Sequence, residues 1–104
     1  MDVELLLVPE CPNGPAATAL LRTALGDAGL TETTIVTTLI DTQHQAEQRG
    51  FVGSPTILLD GVDPFADAGR APGLACRVYR GTSGLAGVPD LSDLREALKR
   101  AAHR

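Results

Sequence analysis

Aromatic residues are nearly missing from this chain: Phe51, Phe65 and Tyr79 are the whole set, and there is no tryptophan among 104 residues. A core must therefore be built from Leu, Val, Ile and Ala. Basic residues are also in short supply, nine against thirteen acids, for a formal charge of −4. Phosphate neutralisation needs a clustered Lys/Arg surface, so nucleic acid is not expected as a partner. The one basic cluster, Lys99, Arg100, His103 and Arg104, falls at the end of the last expected helix, where it complements the helix dipole. No apolar run approaches the ~20 residues needed to span a bilayer. The start, Met1-Asp2-Val3-Glu4, carries acid where a secretory signal carries base. A cytoplasmic protein without a membrane partner is the expectation.

Cysteine is scarce as well. Cys11 and Cys76 stand 65 positions apart, and in a reducing compartment such a pair is not expected to be a permanent staple. Catalysis, redox sensing, metal binding and packing stay open for them. Two cysteines with the distant His44 and His103 make no zinc spacing. Asp63 to Asp67 lacks a calcium-loop pattern. No metal or other cofactor is expected.

What is present reads as one α/β domain over residues 1–104. Val3 to Val8 is a nearly continuous apolar run of strand length, suited to a central strand covered on both faces. Pro9 and the Pro-Asn-Gly-Pro stretch at 12–15 end it. Ala16 to Ala28 carries a helical stripe of Ala17, Leu20, Leu21, Ala24, Leu25 and Ala28. Thr33 to Ile40 is β-branched and reads as a second strand. Thr42 and Gln45 have capping-box spacing for a short helix ending near Arg49. Thr56 to Asp60 is a third strand, with Asp60-Gly61 as a turn signal. Residues 61–75 read as a loop, Cys76 to Arg80 as a fourth strand, and Gly81 to Pro89 as another loop. A last helix opens near Asp90, with Leu91, Leu94, Leu98 and Ala101 on one face. The order is β-α-β-α-β-β-α. Right-handed crossover makes the first two strands parallel, and the last two are expected to pair antiparallel in a four-stranded mixed sheet flanked by helices.

Cys11 follows the first strand and precedes the first helix. Backbone N–H groups and the positive end of a helix dipole favour a thiolate there over a thiol, which makes the cysteine nucleophilic. A buried, inert cysteine is the bland alternative, but Glu10, Pro12 and Asn13 are poor core neighbours. Gly53-Ser54-Pro55-Thr56 stands just before the third strand, where proline costs no ladder bond.

The element order, Cys-Pro-Asn-Gly at 11–14 and Ser-Pro-Thr at 54–56 together resemble the thioredoxin superfamily. A narrower likeness is to small bacterial thioredoxin-like proteins sometimes labelled alkylmercury-lyase-like. The resemblance implies a thioredoxin-like fold, with Cys11 at the nucleophilic position and Pro55 as the facing cis-proline. It also implies substrate binding by Ser54, Pro55 and Thr56, with the Ser54 backbone pairing with a bound thiol peptide. Gly14 departs from the pattern, since Cys-x-x-Cys needs a second thiol there. A monothiol cycle is left, in which a low-molecular-weight thiol or a protein disulfide is the partner.

Cys76 is a possible second thiol. As the first residue of a returning strand, it stands roughly 13 Å from the site end at ~3.3 Å per residue, beyond the ~7 Å Cα limit for a disulfide. Packing beside Val78 is the favoured reading for it. Arg80 to Gly84 could hold the carboxylate of a small thiol, or be an ordinary solvent loop. Three functions follow: a monothiol oxidoreductase centred on Cys11, a non-catalytic protein-binding module using the Pro55 face, and soft-metal or organomercury handling by Cys11 and Cys76. Whether the chain is an enzyme is left open by its sequence.

Overall fold

The computed structural model describes residues 1–67 and 69–103. Ala68, in the expected 61–75 loop, and Arg104, in the basic cluster, lie outside the described residues. The described chain is an α/β protein of three helices and two small sheets. Strand β1 (Val3–Leu7) lies at the centre of the first sheet. It is parallel to β2 (Ile35–Leu39), from Val3 opposite Ile35 to Leu7 opposite Leu39. On its other side β3 (Thr56–Leu59) runs antiparallel, with Leu6 opposite Thr56 and Val3 opposite Leu59.

Side chains alternate across a strand, so the apolar run of β1 supplies two cores. Val3 and Leu5 join Ile57 and Leu59 of β3 on one face. There they meet Ala17, Leu21, Ala24 and Leu25 of α1 (Gly14–Asp27) and Leu94, Ala97, Leu98 and Ala101 of α3 (Leu91–Ala102). Leu6 and Leu58 point the other way, onto Ile40, Phe51 and Ala46 of α2 (Gln43–Arg49). That short helix starts with a complete capping box: the Gln45 N–H donates to Thr42 Oγ1, and Gln45 Oε1 accepts from the Thr42 N–H. No described helix is long and apolar enough to cross a membrane.

The Asp60-Gly61 turn forms as expected. Both residues have positive φ, 53° and 80°, as a tight two-residue connection requires, and Leu59 and Val62 exchange backbone hydrogen bonds across it.

The expected four-stranded sheet is not formed. Its fourth member, Cys76 to Arg80, is replaced by β4 (Tyr79–Gly81), which pairs with β5 (Gly84–Ala86) and not with β3. Residues 81–89, expected as a loop, hold β5 and complete this separate hairpin. The element order is thus β-α-β-α-β-β-β-α. The segment leading into β4 meets the lead-in to β3 at one isolated bridge, Ser54 to Cys76, and that bridge is parallel, so the expected antiparallel ladder with β3 does not form.

Candidate functional site

Cys11 lies in the connection from β1 to α1. The Cys11 N–H donates to the Val8 carbonyl at 3.2 Å, closing a turn with Pro9 in its second position and Glu10 at φ 61° in its third. Proline followed by a positive φ is the pattern of a type II turn, whose third position usually goes to glycine. Glu10 accepts a conformation that costs an L-residue about 1–2 kcal/mol. The Gly14 N–H donates to the Cys11 carbonyl at 3.1 Å, so one turn leads directly into the helix. Cys11 is only 9% exposed. Asn13, the N-cap of α1, makes no side-chain capping bond. Its carboxamide lies against the Cα of Gly87, where a Cβ would collide with it.

Ser54, Pro55 and Thr56 lie beside this turn, and all three are buried. The Ser54-Pro55 peptide is cis, the isomer that the resemblance implies. Ser54 Oγ accepts from the Val8 N–H at 3.1 Å, and so joins the Cys11 turn to the Ser54-Pro55 loop. Thr56 Oγ1 donates to the Gly53 carbonyl at 2.6 Å. The Pro55 carbonyl accepts from the Tyr79 hydroxyl.

The Ser54 backbone is fully used within the chain. Its N–H donates to the Ala75 carbonyl at 3.0 Å, and its carbonyl accepts from the Arg77 N–H at 2.9 Å. These two bonds form a parallel bridge between Ser54 and Cys76. The expected position of Cys76 is therefore corrected. It sits level with Ser54, at the site end of the sheet, and not a strand-length away. It is also exposed, a free thiol like Cys11, and Val78 is exposed with it. The residues turned inward are the alternate ones, Arg77 and Tyr79.

Arg77, at 2% exposure, is the residue that sequence reasoning missed. Its guanidinium bonds Asp63 Oδ2 at 2.7 Å, the Phe65 carbonyl at 2.7 Å and Thr56 Oγ1 at 3.1 Å. It also stacks over the Tyr79 ring, 4.7 Å from its centre, while Phe65 meets that ring edge-on. Burial pushes the Tyr79 phenol well up; Arg77 pulls it down, Asp63 pushes it up, and Arg70 pulls it down. The available signal is the alternation in Cys-Arg-Val-Tyr, whose other phase turns Arg77 and Tyr79 inward.

Arg80 is exposed, and Thr82 and Ser83 form the exposed turn of the β4–β5 hairpin. Asp90 Oδ2 accepts from both the Thr82 N–H, at 2.7 Å, and its hydroxyl, at 3.1 Å, fastening the hairpin to the start of α3. Among the described residues no group of three or more His, Cys, Asp or Glu side chains is arranged to hold a metal ion. In comparisons with known proteins the chain matches no family model, no curated protein and no solved structure.

Proposed function

We propose that this chain is a thiol-disulfide oxidoreductase of thioredoxin-like fold, in which the Cys11 thiolate attacks a low-molecular-weight disulfide. The observation that carries the reading is the Val8–Ser54 hydrogen bond, which brings the Cys11 turn and the Ser54-Pro55 loop to one end of the sheet. The helix starts three residues after Cys11, and the positive end of a helix favours an anion held close to it. In the step itself, the Cys11 thiolate displaces one half of the disulfide as a thiolate and keeps the other half as a mixed disulfide.

A small partner is favoured over a protein strand. Both backbone hydrogen-bonding groups of Ser54 are engaged by Ala75 and Arg77, so a peptide pairing there must first displace that segment. The same coverage takes support from a protein-binding module working through the Pro55 face.

Incubating a Cys76→Ser variant with glutathione disulfide tests the reading by intact mass. A single glutathione adduct at Cys11, reversed by a reductant and absent from a Cys11→Ser, Cys76→Ser chain, is expected. An unmodified Cys11 under conditions that modify a model thiol would refute it.

A further inference from the structure

We propose that Cys76 resolves the mixed disulfide formed at Cys11, so that the two cysteines of the chain form one redox pair. The proposal rests on the reading of Cys11 as the nucleophile.

Three neighbouring segments carry it. Ser54 lies between the other two: its side chain holds the N–H of Val8, and its backbone holds Ala75 and Arg77 on either side of Cys76. At ~4.8 Å between adjacent strands, Val8 and Cys76 lie roughly 10 Å apart across Ser54. Cys11 is one turn beyond Val8, linked to it by the hydrogen bond that closes that turn. Val8, where the Cys11 turn begins, and Cys76 itself thus meet Ser54 at the same end of the sheet.

A disulfide needs the two Cα atoms within ~7 Å, so Cys76 must shift toward Cys11 to close it. The segment is arranged for that. Leu74, Ala75 and Cys76 are exposed in succession, whereas Arg77, directly after them, is anchored by its buried guanidinium. Releasing the Ser54–Ala75 hydrogen bond frees the exposed stretch and leaves the anchor in place. With Gly14 in place of a nearby thiol, no other cysteine in the chain can do this.

The balance closes without any further oxidant. The Cys11 thiolate takes one half of the small disulfide and releases the other as a thiolate. The Cys76 thiolate then attacks the Cys11 sulfur, forms the Cys11–Cys76 bond and expels the second half. The two protein thiol protons end on the two released thiols, the chain is oxidised by two electrons, and the small disulfide is reduced by two.

The test follows the reduced full-length chain and its Cys76→Ser variant through reaction with glutathione disulfide, by intact mass and by non-reducing peptide mapping. The parent is expected to pass through a one-glutathione adduct and end two hydrogens lighter than its reduced form, with the Cys11 and Cys76 peptides linked. The variant is expected to stop at the adduct, with complete loss of the lighter species. If parent and variant both stop at a stable Cys11 adduct, the resolving role is overturned while the nucleophilic role of Cys11 stands. If the variant gains no adduct at Cys11, both readings fall. Linked peptides found only in a disulfide dimer, increasing with protein concentration, overturn the intramolecular pair. Peptide mapping of the parent decides the matter even if a variant folds poorly.

Discussion

Ser54 holds Val8 through its side chain, with Oγ accepting the Val8 N–H at 3.1 Å, while its backbone holds the segment on the opposite side. One fully buried residue thereby ties the turn of Cys11 to the stretch that carries Cys76.

Replacing Ser54 by alanine removes the acceptor and keeps both backbone bonds. The Val8 N–H is left unpaired in a partly buried place, which costs about 1–2 kcal/mol. A urea midpoint lowered accordingly is expected, along with faster alkylation of Cys11 as its turn opens more often. An unchanged midpoint and an unchanged alkylation rate would show that the bond does not hold the turn.

Tyr79 is the chain's one tyrosine, and no tryptophan obscures its absorbance. Burial raises its phenol above the ordinary value of 10, so the folded chain holds this proton more tightly than the unfolded chain. The stabilisation is fully present below about pH 10 and is lost as the pH climbs past it. Phenolate absorbance is expected only together with alkaline unfolding, and a Tyr79→Phe variant should not show this alkaline loss. A tyrosine titrating near pH 10 in a chain that stays folded would contradict the burial of its hydroxyl against Pro55.

The pair of Arg77 and Asp63 is a buried ion pair, with side chains 2% and 15% exposed. Asp63→Asn leaves the guanidinium without its countercharge and should destabilise by about 3 kcal/mol, the lower end for a broken buried pair. Arg77→Lys keeps the charge but loses the fork that reaches Asp63, the Phe65 carbonyl and Thr56 together. Thermal unfolding of the two variants checks this: both should melt lower than the parent. An Arg77→Lys variant as stable as the parent would show that charge alone suffices.

Elements fixed by local chemistry were legible. The apolar run of β1, the stripe of α1, the Thr42–Gln45 capping box and the Asp60-Gly61 turn each depend on residues close in sequence. The fourth strand was not legible for a definite reason. Alternation in Cys-Arg-Val-Tyr allows either phase, and hydropathy prefers Cys76 and Val78 inside. The observed phase buries Arg77, which is tolerable only because Asp63 and the Phe65 carbonyl, fourteen and twelve positions upstream, stand ready to receive it.

By itself, the sequence determined that Cys11 lies between a buried strand and a helix, because apolar run, prolines and helical stripe are all local. It determined too that no second thiol stands at position 14. Only the tertiary structure decided where Cys76 lies. That depended on the Ser54 backbone finding its partners in Ala75 and Arg77, more than twenty residues along the chain, and on a buried guanidinium finding its counterion. Both are long-range pairings whose energy comes from satisfying buried polar groups, and no periodicity in the sequence reports them.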